Sequence, residues 1–280
     1  MKIKSQSKVE NFDNAINLTE GLVLVCGKTG AGKTAFLNSL LIEQMYNRKR
    51  YKDAKKITSL LVQGGFRKLS LPPNHLCYSE YFCRSSVVGR KKYVTYECNA
   101  KKFCLPTEDN NSDFYPPNAV LAFDEIQGKF DKRNWSKLED YYSRAWEVRR
   151  HNGYLVICAS QFGNVDSNMR NLFTHVFFVE EKWQEWSKDK YSHLQSFWRY
   201  KQFNSFSDLE RWLANSDLKT YIAEGVRVYD GDIRKCYDGE GFRAYWFYNR
   251  ENSNYTQHIH LPIGLNVEDF KKFNERNRVV

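Results

Sequence analysis

The sequence predicts an α/β fold in which a mainly parallel β-sheet is flanked by helices, with a smaller strand-rich annex at the C-terminal end. Three apolar runs, Leu22–Cys26, Ala119–Phe123 and Tyr154–Ser160, have the length and continuity of buried parallel strands. Between them lie stretches with the three- and four-residue apolar spacing of helices. Because strands that alternate with helices form parallel sheets, the order of these elements predicts this fold class.

The composition is that of a folded chain rather than a disordered one. Of the 280 residues, 41% are hydrophobic and 16% are aromatic, and disordered segments are poor in such residues. This length suits one large α/β domain or a core domain with a small annex. We expect a core at residues 1–181, with an irregular cysteine-containing insert at about residues 66–118, and an annex at residues 182–280.

The first predicted strand, Leu22–Cys26, runs directly into a segment that matches G-x-x-x-x-G-K-[ST], and a predicted helix follows from Ala35 to Met45. Glycines let such a loop wrap closely around phosphate groups, and the helix start adds a partial positive charge. In this context the pattern predicts a nucleotide-binding P-loop, in which Lys33 reaches the β- and γ-phosphates and Thr34 binds Mg²⁺. The expected nucleotide-binding residues are Gly27, Lys28, Thr29, Gly30, Ala31, Gly32, Lys33, Thr34 and Ala35.

Positive charge is concentrated in the first part of the chain. The net charge is +10, and residues 1–180 carry 27 Lys+Arg against 18 Asp+Glu. Two stretches, 48–56 and 84–102, each contain six Lys+Arg and one acidic residue. Such stretches can follow a phosphate backbone, which predicts a nucleic-acid partner, or they can be solvated surface, and the sequence leaves both open.

After the first basic stretch, we expect a strand at Ile57–Gln63.

The cysteines give a weaker signal. The odd total of seven, together with the nucleotide motif, favours a reducing cytoplasm over a disulfide framework. Two pairs in the insert have equal five-residue gaps, Cys77 with Cys83 and Cys98 with Cys104. A four-thiolate zinc site would suit an insert without its own core, but zinc ligands are usually two to four residues apart. Zinc binding and ordinary buried thiols therefore both remain open.

The second buried strand, Ala119–Phe123, ends directly in Asp124 and Glu125. The carboxyl end of a parallel strand faces the crevice where ligands bind. We therefore expect Asp124 to hold Mg²⁺, mostly through water, and Glu125 to polarise the attacking water as general base. An acidic turn without a catalytic role is the alternative, and the upstream P-loop makes it the weaker one.

A helix should follow, because apolar residues at positions 135, 138, 142, 145 and 148 have helical spacing, and Gly153 can serve as its C-cap. The third buried strand, Tyr154–Ser160, leads into Gln161. We expect Gln161 to sense the γ-phosphate and orient water, the alternative being a loop residue without a role. A short helix at Asp166–Leu172 and a strand at His175–Val179 continue the alternation.

The character of the sequence changes after about residue 181. Aromatic residues crowd positions 183–203 in a strand-like stretch of mixed polarity, which favours a core or subunit interface over a base-stacking surface. Ser207–Glu210 has the form of a capping box that opens a helix, and Phe242–Tyr248 predicts a late strand.

The order of these motifs resembles the zonula occludens toxin-like family of filamentous phages, which are assembly ATPases within the FtsK–HerA group of P-loop motors. The resemblance rests on the P-loop, a hydrophobic run into Asp-Glu, an Arg/His-rich turn before Gly, a strand that ends in Ser-Gln, and a helix with an Asp…Arg pattern. Beyond the P-loop, these passages are Ala119–Gln127, Arg149–Gly153, Ala159–Gln161 and Val165–Leu172.

This resemblance implies a homo-oligomeric ring that hydrolyses ATP with Mg²⁺ and moves viral DNA during genome packaging or virion assembly. In such motors one subunit supplies an arginine to its neighbour's γ-phosphate, and the candidates here are Arg170, Arg150 and Arg149. Gln161 matches the family's polar sensor at the end of the strand. The guanine motif Asn/Thr-Lys-x-Asp is missing, which favours ATP over GTP.

The chain departs from the family in one respect. Filamentous-phage members usually carry a membrane span after the ATPase domain, whereas here no run of 18 apolar residues occurs and the N-terminus is polar. We therefore expect neither a transmembrane helix nor a signal peptide, and a cytoplasmic packaging motor that meets a capsid partner. An extrusion motor with a membrane-protein partner is one alternative. An ATP-dependent switch or scaffold that does not move DNA is the other.

Overall fold

The computed structural model describes residues 18–63, 71, 76–80, 83–85, 93–98, 103, 115–128, 140–186, 194–229, 245–249 and 254–258. The helices and strands in the first half are β1 (Gly21–Gly27), α1 (Lys33–Met45), α2 (Arg48–Gln63), β2 (Cys77–Ser79), β3 (Arg84–Ser85), β4 (Tyr93–Val94), β5 (Tyr96–Glu97) and β6 (Val120–Phe123). Those that follow are α3 (Asp140–Val148), β7 (Leu155–Gln161), α4 (Ser167–Arg170), β8 (His175–Trp186), β9 (Leu194–Phe203), α5 (Phe206–Ala214), β10 (Ala223–Tyr229), β11 (Tyr245–Asn249) and β12 (Asn254–His258).

A mainly parallel sheet forms the centre of the molecule. Within the described residues it contains eight strands in the order β10-β9-β8-β1-β7-β6-β2-β5. The six strands from β8 to β5 are parallel to one another, and β9 and β10 add antiparallel strands at the β8 edge. The predicted α/β P-loop fold, with helices on both sides of such a sheet, is confirmed.

Helices cover both faces of the sheet because each central strand is apolar on both sides. On one face α1 packs through residues such as Phe36, Leu37 and Leu40 against β1, β6 and β7. On the other face α3 contributes Trp146, and α5 contributes Phe206 and Leu209. The two layers fix α1, and with it the preceding loop, against the carboxyl end of β1.

One buried cation joins the amino ends of three strands. The Arg50 guanidinium donates hydrogen bonds to the backbone carbonyls of Leu18 at 3.4 Å, Asn118 at 3.2 Å and Gly153 at 3.3 Å, and also to that of Thr19. These carbonyls precede β1, β6 and β7. Burial lowers the pKa of the Arg50 guanidinium. The four carbonyls accept hydrogen bonds from its two terminal NH2 groups in place of water.

One sequence-based expectation for the segment after residue 56 is wrong. Ile57–Gln63 is the last part of α2 rather than a strand, because the buried positions of that helix continue at helical spacing through Ala54 and Thr58. Within the insert expected at about residues 66–118, β2 and β5 belong to the central sheet, where β2 pairs with β6, and the division into core and insert stays a prediction. The side chains of Cys77, Cys83 and Cys98 are buried.

The zinc alternative stays open, because Cys104 lies outside the described residues. Among the residues that are described, no cluster of three or more His, Cys, Asp or Glu side chains could hold a metal ion.

None of the helices in the described ranges is both long and apolar enough to cross a bilayer.

The later elements begin close to their predicted positions, with small shifts. The helix expected from a Ser207 capping box begins at Phe206, and its N-cap is Ser205, whose hydroxyl accepts a hydrogen bond from the Asp208 amide. The expected domain boundary at residue 181 falls inside β8, and the division at residues 181 and 182 stays a prediction. The late strand expected at 242–248 is β11, which pairs with β12 in a separate two-stranded sheet.

Candidate nucleotide-binding site

The P-loop lies between the carboxyl end of β1 and the first turn of α1, as the sequence predicts. Gly32 is the N-cap of α1 and has a φ of 84°, which a side chain would strain. A Cβ atom on Gly32 would lie 2.6 Å from the Trp198 indole nitrogen, and one on Gly27 would lie 2.4 Å from the Val179 carbonyl oxygen. Both glycines are therefore required by close approach of β8 and β9.

The two polar residues that open α1 make different contacts. The Lys33 ammonium donates to the Lys28 carbonyl at 3.1 Å, so it folds back onto its own loop. The Thr34 hydroxyl donates to Oδ2 of Asp124 at 2.9 Å. This second hydrogen bond joins the P-loop to the carboxyl end of β6 and brings together the two residues that the sequence predicts to bind Mg²⁺.

Asp124 is a partly buried carboxyl whose environment favours a cation. Burial raises its pKa, while the Thr34 hydrogen bond lowers it, and the nearby Glu125 charge raises it further. A bound cation would offset the effects that disfavour the carboxylate. Its oxygen and the Thr34 hydroxyl are the hard oxygen ligands that Mg²⁺ prefers, so these residues fit that metal.

Glu125 is held at the end of a chain of hydrogen bonds. Its φ of 48° is rare for a residue with a side chain, and its amide donates to Oδ1 of Asp124 at 3.1 Å. The Gln127 amide nitrogen donates to the Glu125 carboxylate, and the Ser160 hydroxyl donates to the Gln127 oxygen at 2.7 Å. This chain fixes the carboxylate of Glu125 relative to β7.

Gln161 lies beside the P-loop. It ends β7, and its register partner on β1 is Gly27. Both residues line one cavity of about 360 Å³, together with Lys28, Thr29, Phe162, Gly163, Phe178 and Leu213. The Gln161 side-chain oxygen accepts a hydrogen bond from Asn164 at 3.2 Å, which orients the amide at the cavity edge.

The three candidate arginines lie in different environments. Arg149 is buried and donates to the carbonyls of Trp146 and Leu172, and burial lowers its pKa to about 10. Arg150 is exposed in the turn that precedes β7, about 20 Å along that strand from the P-loop end. Arg170 pairs with Glu210 at 2.9 Å and lies over a phenylalanine ring of α5.

Three further residues at the site were missed by sequence reasoning. Trp198 and Lys182 are cross-strand partners on β9 and β8, and a Cβ on Gly32 would lie 2.9 Å from Cδ of Lys182. No local pattern marks these two residues, since only the antiparallel pairing brings them to the loop. Gln127 had a weak signal, because it lies two residues after Glu125 on a predicted strand-to-loop junction.

A comparison with family models identifies the region that contains this site. The model described as Zonular occludens toxin (Zot) matches residues 21–197, which is more than half of the chain. No curated protein matches the sequence.

The solved structures that this chain matches are distant in sequence. The N-terminal domain of zonular occludens toxin from Neisseria meningitidis is 13% identical, with 79% of this chain and 100% of that chain covered and a TM-score of 0.41. The genome packaging NTPase B204 from Sulfolobus turreted icosahedral virus 2, in complex with sulfate, is 13% identical over 88% of this chain and 98% of its own, with a TM-score of 0.33. Its complex with ATP-gammaS is 15% identical over 87% and 98%, with the same TM-score.

Proposed function

The chain belongs to the zonular occludens toxin family, and we propose that it is a phage ATPase that moves DNA during genome packaging or virion assembly. The observation that carries the proposal is the hydrogen bond from Thr34 to Asp124. It joins the P-loop to the acidic strand end, the two parts that ATP hydrolysis requires in P-loop enzymes.

In the proposed mechanism the loop amides and Lys33 hold the phosphates of ATP. Lys33 exchanges its bond to the Lys28 carbonyl for the β- and γ-phosphate oxygens, so that its charge stabilises the transition state. Thr34 and Asp124 would hold Mg²⁺, which supplies charge neutralisation at the phosphates when bound.

Glu125 then takes a proton from water while the water oxygen attacks the γ-phosphorus. The bond from that phosphorus to the bridging oxygen breaks, and ADP and inorganic phosphate are the products. Gln161, beside the P-loop on β7, orients the water or senses the γ-phosphate. Gln127 positions the Glu125 carboxylate through its hydrogen bond.

The proposed output is translocation of the viral genome by a homo-oligomeric ring. In such a ring Arg170 or Arg150 reaches the γ-phosphate bound to a neighbouring subunit. The exposed location of Arg150 supports a contact outside its own subunit, and Arg170 must first leave Glu210. A capsid protein or a membrane protein would anchor the ring and set whether the same motor packages or extrudes DNA.

The proposal is tested by titrating the purified protein with MgATP and MgGTP and following both binding and phosphate release. We expect tight binding of MgATP, slow release of phosphate that EDTA abolishes, and a Glu125→Gln variant that binds MgATP without turning it over. Binding without release in the wild type would contradict the hydrolase and favour the switch or scaffold.

A further inference from the structure

Helix α2 carries a strongly basic surface on the side that faces away from the core. The helix has 16 residues, of which five are exposed lysines or arginines, and Asp53 is its sole acidic residue. Within the described part of the chain, none of these five cations has an ion-pair or hydrogen-bond partner through its side chain. They are Arg48, Lys49, Lys52, Lys55 and Lys56.

Helical geometry gathers these charges into one stripe. At about 100° per residue, the five cations occupy an arc of about 120° and a length of about 12 Å. The buried positions of α2, at Arg50, Ala54 and Thr58, lie on the opposite side. The buried Arg50 is therefore structural, and the rest of the basic sequence forms one surface, the α2 basic face.

We propose that the α2 basic face binds the phosphate backbone of DNA. The proposal rests on the DNA-moving function given above, and it names the surface that such a function needs. About 12 Å of duplex carries roughly seven phosphate charges, which five unpaired cations can contact without reading bases. Since Arg50 fixes α2 to the amino ends of β1, β6 and β7, bound DNA would leave the P-loop accessible.

Nucleic acid suits this surface better than a lipid bilayer does. A helix that lies in a membrane interface inserts a broad apolar face with large side chains. In α2 the face opposite the charges is buried at Arg50, Ala54 and Thr58, and among its described side chains the exposed apolar ones are Ile57 and Leu60 at the flank. Contact with a bilayer would therefore be electrostatic alone.

The experiment measures binding of labelled single- and double-stranded oligonucleotides by fluorescence anisotropy between 50 and 200 mM salt. The test variant is Lys49→Gln/Lys52→Gln/Lys56→Gln, which keeps good helix formers on the surface. We expect its affinity to fall by at least about tenfold at the lowest salt, and its log–log salt slope to fall by about two to three. The corresponding triple Lys→Arg variant keeps the charge and should bind as the wild type does.

A matched control separates local charge from net charge. Arg199→Gln/Arg211→Gln/Lys219→Gln removes the same number of exposed charges outside α2 and should lower the affinity far less. The proposal is overturned if the α2 variant keeps the wild-type affinity and slope, or if the control loses as much. It is also overturned if the α2 variant still binds DNA but no longer binds vesicles of mixed phosphatidylserine and phosphatidylcholine.

Hydrolysis measured beside binding separates this inference from the proposed function. DNA-stimulated turnover in the wild type, with normal DNA binding by the α2 variant, overturns the α2 assignment and leaves the motor intact. Loss of DNA binding in the α2 variant, with no stimulation in the wild type, supports the assignment and contradicts the motor. A wild-type protein that binds no DNA overturns both.

Discussion

Each end of the central sheet has a buried cation, and the two cations differ in their hydrogen-bond partners. At the carboxyl end, Lys33 is 7% exposed and donates to a carbonyl of its own loop. At the amino end, Arg50 is 8% exposed and donates to four carbonyls from segments far apart in the sequence.

This difference separates a group kept available for a ligand from one committed to the fold. Lys33 can exchange its hydrogen bond to one loop carbonyl for a hydrogen bond to a phosphate with little loss of free energy. Loss of the Arg50 side chain would remove hydrogen bonds to carbonyls before three strands, and hydrogen bonds from a charged group contribute strongly to stability. Two equally buried cations can therefore have different functions, and the number of their hydrogen-bond partners distinguishes a ligand-binding cation from a structural one.

The largest expected effect tests the amino end. We expect Arg50→Met to lower the free energy of unfolding by about 3–5 kcal/mol, because it removes four hydrogen bonds from a charged group to backbone carbonyls. Chemical denaturation measures this loss. Lys49→Met, at the exposed neighbouring position, should change the same quantity by less than about 0.5 kcal/mol. Equal losses in the two variants would remove the contrast between a buried and a surface cation.

The reverse pattern is expected at the carboxyl end. Lys33→Met should lower kcat/KM for ATP by about 100-fold or more, because a cation that stabilises the transition-state charge is lost. Its free energy of unfolding should stay within about 1 kcal/mol of the wild type. Steady-state kinetics and denaturation of one preparation check both values. A Lys33→Met protein as unstable as Arg50→Met would show that Lys33 also stabilises the fold, which contradicts this account.

A smaller effect tests the hydrogen-bond chain that holds Glu125. Gln127→Ala should lower kcat for ATP about tenfold with little change in KM, which corresponds to one lost hydrogen bond to a carboxylate. Single-turnover phosphate release measures this step. In a double variant with Glu125→Gln, the Gln127→Ala change should add almost nothing, because the two residues act as one unit. Additive losses would show that Gln127 acts elsewhere.

The smallest expected effect tests Lys182, which lies beside the P-loop at the carboxyl end of the sheet. Lys182→Met should weaken ATP binding about two- to fivefold, since an exposed charge beside the loop contributes modestly. Calorimetry at low and high salt should show the difference shrinking as salt rises. Arg199→Met is the control, because its side chain points to the opposite face of the β8–β9 hairpin. An equal effect in both would exclude a local role for Lys182.

The comparison also explains what the sequence could predict. The P-loop and the Asp124–Glu125 pair were predictable because loop, helix start and strand end are short local patterns. The role of Arg50 was not, since its acceptors Asn118 and Gly153 lie 68 and 103 residues away. Inside a run of six Lys+Arg, one buried arginine looks the same as its exposed neighbours.

Other errors have similar physical origins. The apolar run after residue 56 was short enough to fit either a strand or a helix. The structure forms the helix, in which Ala54 and Thr58 are buried four residues apart. Trp198 and Lys182 lie close to Gly32 only because β8 continues past the end of its pairing with β1 and pairs there with β9. Such contacts depend on pairing register, which a single sequence does not reveal.

The most direct test of the proposed function is steady-state ATP hydrolysis with and without single- and double-stranded DNA, in the wild type and in Glu125→Gln. We expect DNA to stimulate turnover in the wild type, the preferred strand form to identify the cargo, and Glu125→Gln to abolish turnover under every condition. Tight ATP binding with no stimulation by either form of DNA would contradict an autonomous DNA-moving ATPase.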